Sequence, residues 1–90
     1  MIALYVLRGV TGKRYVGITN DLARRLSEHG AEQSNVRRLI GSFEVIYTEM
    51  FSDHASARIR EKFLKSGQGR AWLDSMERQP RSALDHASRH

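Results

Sequence analysis

Six consecutive apolar or aromatic residues, Ile2–Leu7, limit the possible folds of this chain more than any other stretch. Ile, Tyr and Val favour the pleated state, and a strand that is apolar at every position has to be covered on both faces. The run therefore reads as a central strand. Arg8-Gly9-Val10-Thr11-Gly12 follows, with two glycines suited to a tight reversal, and Lys13–Ile18 resumes strand character. So short a connection joins antiparallel neighbours. With the loop centred near Val10, Tyr5 lies opposite Tyr15. The alternation of side chains then puts Tyr5, Tyr15 and Gly17 on one face of the sheet.

Thr19, Asn20 and Asp21 offer N-caps for a helix running to about His29, with Gly30 placed to end it in a left-handed conformation. At ~100° per residue, Leu22 and Leu26 point the same way, Arg25 and His29 flank their stripe, and Arg24 faces water. Asn35–Ile40 reads as a short helix with Val36, Leu39 and Ile40 on one side, broken at Gly41-Ser42. Phe43–Phe51 reads as a third strand, with Phe43, Val45, Tyr47 and Phe51 on one face. Ser52 or Asp53 caps a long helix through about Lys65. Ser66-Gly67-Gln68-Gly69 reads as a glycine-rich turn with Gly67 as the C-cap, and the wider stretch Lys65–Arg70 has glycines and cations but not the spacing of a nucleotide-binding P-loop. Ala71–Met76 is then a last short helix anchored by Trp72 and Leu73, with Trp72 and Phe63 in the core. The domain so defined is 1–76. The polar stretch 77–90, with Pro80, reads as a flexible tail.

Ninety residues suffice for one small domain, and 40% hydrophobic residues are too many for a disordered chain. With no cysteine, disulfides and thiolate zinc sites are excluded. No apolar run approaches the ~20 residues of a membrane helix, and the start lacks the basic region of a signal peptide. The expectation is an intracellular, cytoplasmic protein without a membrane partner. Its net charge of +5 is concentrated early: residues 1–42 hold seven cations (Arg8, Lys13, Arg14, Arg24, Arg25, Arg37 and Arg38) against three acids. A polyanion such as nucleic acid would meet that half first.

Taken singly, the candidate site residues have ordinary explanations. Two tyrosines on a sheet face can simply pack, Arg25 can be a solvated cation, and Glu61 can pair with Arg58 or Lys65 on its own helix. Taken together they form a pattern. Ala3-Leu4-Tyr5 is followed ten residues later by Tyr15-Val16-Gly17, Arg25 comes after a further ten, His29 lies one turn on, and Glu61 sits in the helix after the third strand. The segments LYVL, GKRYVGITNDLARRLSEH, FEVIYTEMFSD and the stretch from Ala57 to Leu73 occur in this order. This pattern resembles the GIY-YIG endonuclease superfamily over about residues 2–73. It looks most like the small stand-alone members, and its core is similar to the nuclease module of the bacterial excision-repair incision enzyme. Ala3, Leu4 and Val16 depart mildly from the two motifs, and an Asn that some members carry late in the domain has no counterpart.

The resemblance implies an α+β fold, a three-stranded antiparallel sheet flanked by helices, in agreement with the strands above. It implies a metal-dependent endonuclease that hydrolyses DNA phosphodiester bonds in repair or recombination. Glu61 would be the protein ligand to Mg2+ or Mn2+, and a single carboxylate is enough because such ions keep waters and take phosphate oxygens. Tyr5 would be the general base, helped by Arg25 and Lys13 because a phenol of pKa ~10 is a poor base at neutral pH. Tyr15 would position water or phosphate, Arg25 would neutralise charge developing on the phosphate, and His29 would orient the water or share the proton. Lys13, Arg14, Gly17, Arg24, Lys65 and Arg70 complete the expected nucleic-acid surface, Gly17 by allowing close approach. A branched or otherwise structured DNA is the expected partner, with specificity supplied by another protein or by a homodimer. The competing expectation is a non-catalytic nucleic-acid-binding module that keeps the nuclease fold.

Overall fold

The apolar opening run becomes strand β1 (Ile2–Gly9), the middle of a three-stranded antiparallel sheet, in the computed structural model, which describes residues 1–78. Strand β2 (Arg14–Thr19) pairs along one side of it. Helices α1 (Leu22–Gly30) and α2 (Asn35–Ile40) come next, and strand β3 (Phe43–Phe51) pairs along the other side. Helices α3 (His54–Lys65) and α4 (Gly67–Arg78) complete the described residues.

Continuous apolarity in β1 has the predicted cause, because helices cover both faces of the sheet. Leu4 and Val6 pack with Val16 of β2, Leu64 of α3 and Leu73 of α4. Tyr5 and Leu7 point the other way, to Val36 and Ile40 of α2 and to Leu22 and Leu26 of α1. Leu4, Leu7, Ile40, Leu64 and Leu73 are essentially inaccessible, and each contributes about 1.5–3 kcal/mol of hydrophobic stabilisation.

The hairpin register differs from the expected one by two residues. Tyr5 pairs with Gly17 and Leu7 with Tyr15. The reversal centres on Thr11 instead of Val10, closed by the Gly9 N–H donating to the Lys13 carbonyl at 2.9 Å, with Gly12 at φ 88°. A slip of two preserves the face, so Tyr5, Tyr15 and Gly17 do share one side.

Strand β3 does not keep one face. Tyr47 pairs with Val6 but Val45 pairs with Leu7, so a β-bulge inserts Ile46 between them. Tyr47 and Phe51 therefore join the α3–α4 core, while Phe43 joins the Tyr5 side. In α2, Val36 and Ile40 are buried but Leu39 is exposed.

The glycine-rich segment is a corner between helices. Ser66 alone breaks the helical path, and its hydroxyl then caps α4 by accepting from the Gly69 N–H at 3.2 Å. A side chain at Gly69 would run into the backbone of Phe63 and Leu64, so glycine lets α4 cross tightly over the end of α3. Helix α4 is thus longer than expected and passes Met76 to reach Arg78. The remainder of the expected tail, 79–90, lies outside the described residues. Leu73 is the buried anchor of α4. Trp72 sits at the rim instead, edge-on to Tyr47 at 5.2 Å and with the Arg60 guanidinium 5.0 Å from its ring.

A charge network ties α4 to the hairpin. Arg14 binds both Glu77, at 2.5 Å, and Asp74, while Arg8 joins Glu77 to Glu44 with two contacts of 2.7 Å. These contacts link both arms of the hairpin to one face of α4.

Candidate active site

The site grows from the closest contact in the hairpin. Gly17 lies opposite Tyr5, and a Cβ built on it would stand 2.5 Å from the Tyr5 hydroxyl oxygen, 2.7 Å from Cζ and 3.1 Å from the Tyr15 ring. The phenol of Tyr5 therefore occupies the space a side chain would need. Gly17 was expected to admit nucleic acid. It is buried and its open face is filled from within, which removes it from the nucleic-acid surface.

Helix α1 supplies the next layer. Asp21 caps it by accepting from the Arg24 N–H at 3.1 Å. Leu22, Leu26 and His29 recur at helical spacing and face the sheet, so His29 lies on the apolar stripe and not beside it. Gly30 does not adopt a left-handed conformation: it is the last helical residue, extended Ala31 follows, and Arg37 donates to the Gly30 carbonyl at 2.9 Å. His29 is buried, and its Nε2 lies 2.7 Å from the Tyr5 hydroxyl. Tyr5, Tyr15 and His29 form a triangle of rings with centroids 6.2, 5.7 and 5.1 Å apart.

This setting moves both titrating groups. Burial pushes the Tyr5 phenol well above its ordinary pKa; neighbouring Tyr15 adds to the rise, while Arg25 acts against it. Of the two cations expected to assist Tyr5, Arg25 is the one whose charge acts on it. Burial likewise lowers the pKa of His29, Arg25 lowers it further, and Glu28 opposes. At neutral pH the pair is a protonated phenol against a neutral imidazole. The phenol donates to Nε2 when the imidazole proton is on Nδ1, and accepts from Nε2–H in the other tautomer.

Arg25 stays open to solvent, 3.5 Å from Glu28 on its own helix. Arg24 is exposed and takes part in no ion pair among the described residues. Glu61 stands on α3, which packs against β1 and β2, close enough for its charge to act on Tyr5. Its side chain is mostly buried, and its carboxylate meets the Lys65 ammonium at 3.2 Å, the ion pair expected one turn along the helix. The Arg58 alternative is not formed.

A hard cation needs oxygen donors. Among the described residues no group of three or more His, Cys, Asp or Glu side chains could cage one. Glu61 by itself still fits Mg2+ or Mn2+, which are commonly held by one or two carboxylates together with water and substrate phosphates.

The remaining cations separate into two groups. Arg14 was expected on the nucleic-acid surface, yet its guanidinium is matched by Asp74 and Glu77 and serves the hairpin–α4 clamp. Lys13, Lys65 and Arg70 are exposed and line an open pocket of about 400 Å³ beside Tyr15, with Arg14 in its wall. The pocket joins β2 to the α3–α4 corner, and no sequence spacing announces it, because its lining comes from separate elements.

Known proteins resemble this chain over most of its length. The model of the GIY-YIG catalytic domain matches residues 1–72. UPF0213 protein ORF82 of Orgyia pseudotsugata multicapsid polyhedrosis virus is 37% identical over 82 residues, covering 87% of this chain and 78% of the viral protein. UPF0213 protein PC1_0597 of Pectobacterium carotovorum is 58% identical over a shorter stretch of 26 residues, 29% of this chain and 26% of its own. The solution structure of UPF0213 protein BH0048 from Bacillus halodurans superposes with a TM-score of 0.55 at 29% identity, over 89% of each chain. The chain belongs to the GIY-YIG family, a nuclease family that acts on nucleic acid.

Proposed function

From that membership we propose that this protein is a divalent-metal-dependent endonuclease that hydrolyses phosphodiester bonds in DNA, in repair or recombination. The observation that carries the reading is the buried Tyr5–His29 contact of 2.7 Å, with Arg25 and Glu61 both near enough to act electrostatically on Tyr5. Packing alone needs neither the acid nor the exposed arginine beside a buried phenol.

Mg2+ or Mn2+ held by Glu61 would supply Lewis-acid polarisation of the scissile phosphate. Arg25 offers a guanidinium fork to the same phosphate and neutralises charge as it develops. Tyr15, half-buried and nearer solvent than Tyr5, positions phosphate or water. We assign the base function to the Tyr5–His29 pair and not to Tyr5 alone. Tyr5 is only 1% exposed and its pKa is raised, so a resting phenolate is disfavoured. His29 is neutral at pH 7 and can accept a proton. A proton released by the attacking water comes to rest on His29, reaching Nε2 through the Tyr5 hydroxyl. Lys13, Lys65, Arg70 and Arg24 supply counter-charge along the DNA backbone.

The test is incubation with supercoiled, branched and single-stranded DNA in Mg2+, Mn2+ or EDTA, beside Glu61→Ala. Metal-dependent nicking that the substitution abolishes is expected. Equal activity in EDTA or in Glu61→Ala would overturn the mechanism. Binding without cleavage on every substrate would assign the protein as a nucleic-acid-binding module.

A further inference from the structure

Lys65 faces two ways. Its ammonium lies 3.2 Å from Glu61 Oε2, and the same side chain lines the open pocket of about 400 Å³ between β2 and the α3–α4 corner. Lys65 is 55% exposed and therefore free to swing, whereas the Glu61 side chain is 14% exposed and held in place. The pocket has an apolar floor of Val16, Leu64 and Leu73 and a cationic rim. Arg14 on that rim is neutralised by Asp74 and Glu77, but Lys13 and Arg70 form no ion pair among the described residues. The rim therefore attracts an anion, and the one cation shared with Glu61 stands on it.

We propose that this pocket receives a backbone phosphate of the nucleic acid, and that Lys65 is a displaceable counter-ion which links phosphate binding there to cation binding at Glu61. The proposal rests on the reading of Glu61 as a metal ligand. In the free protein Lys65 neutralises the carboxylate and competes with a divalent ion for it. A phosphate in the pocket draws the ammonium away and leaves the carboxylate with its full negative charge. The two ligands then bind with positive coupling, and by linkage the metal tightens the phosphate by the same factor. Lys65 is a positioning residue in this scheme, because it acts through Glu61.

Two measurements on the full chain test it. In EDTA, an eight-residue oligothymidylate should shift the NMR signals of the Lys13, Lys65 and Arg70 side chains together with the Glu61 carboxyl carbon. Free Mn2+, read by its EPR signal, should then be titrated with the wild type, Lys65→Met, Lys65→Gln and Glu61→Gln. Without DNA, both Lys65 variants should bind Mn2+ about fivefold more tightly than wild type, within the usual range of coupling energies. Adding oligothymidylate should improve Mn2+ affinity less in these variants than in wild type. Unchanged or weaker Mn2+ binding in both Lys65 variants, with binding lost in Glu61→Gln, overturns the counter-ion role alone. Wild-type Mn2+ affinity in Glu61→Gln overturns the metal reading along with it. Oligothymidylate that leaves the Lys65 signals in place overturns the pocket as a phosphate site.

Discussion

Gly17→Ala is the most informative small perturbation of this protein. The added methyl would fall 2.5 Å from the Tyr5 hydroxyl oxygen and 2.7 Å from Cζ, far inside van der Waals contact. Tyr5 is buried among Leu7, Val36 and Ile40 and cannot retreat as a surface side chain would. Overpacking of this kind costs ~1–3 kcal/mol. Driving the phenol aside also strains or breaks its 2.7 Å contact with His29, adding a buried polar penalty of ~1–3 kcal/mol. A total loss of ~2–6 kcal/mol is expected in urea unfolding, with a fall in Tm of at least ~8 °C for a domain of this size. Gly30→Ala is the control: a Cβ there meets nothing within 4 Å, and its φ is not positive. It should stabilise by ~0.4–1 kcal/mol through the unfolded chain. Tyr5→Phe should cost less in the Gly17→Ala background than in wild type, because the hydroxyl is already displaced. A Gly17→Ala protein within ~0.5 kcal/mol of wild type, the range of an ordinary surface substitution, would refute the close packing of Tyr5 over Gly17.

Three further outcomes follow from the same geometry. His29 should titrate below the ordinary histidine pKa of ~6.5 in an NMR pH series. Arg25→Ala should move it back up, because Arg25 acts to lower it. With its folded pKa depressed, His29 resists protonation that the unfolded chain accepts, so stability should fall as pH drops from ~6.5 through the folded value; flat stability across that window would contradict the burial of its imidazole. Arg14→Ala should destabilise by ~1–3 kcal/mol, since it removes charged hydrogen bonds to Glu77 and Asp74, and DNA affinity of the folded variant should stay near wild type. Arg24→Ala should reduce DNA nicking much less than Arg25→Ala, and equal losses would mean that the α1 helix presents its arginines differently.

The shared face of Tyr5, Tyr15 and Gly17 was legible because it depends only on the alternation of side chains, which a register error of two leaves intact. The register itself was not, because two glycines three apart allow several turns and only Gly12 takes the positive φ. The apparent single face of β3 failed at Ile46, where one extra residue reverses the alternation; no local residue type marks that bulge. Ser66–Gly69 misled because glycine suggests a turn, whereas here Gly69 serves the close crossing of two helices. His29 was placed beside its stripe, although spacing of seven and three from Leu22 and Leu26 puts it on the stripe. Arg14 could not be assigned from sequence at all, since its partners Asp74 and Glu77 lie some sixty residues away.

Strand β1 divides its side chains between two rooms on opposite faces of the sheet. Leu4 and Val6 serve the packing of α3 and α4, while Tyr5 and Leu7 serve the chamber that holds the reactive rings. Change at an odd-numbered position of this strand thus reaches the reactive rings, and change at an even-numbered one reaches the core beneath α3 and α4. A lineage built on such a strand can retune its reaction by substitutions that leave the scaffold core intact, and can repack that core without moving a phenol. The same arrangement makes the backbone of β1 a mechanical element through which damage on either side is felt on the other.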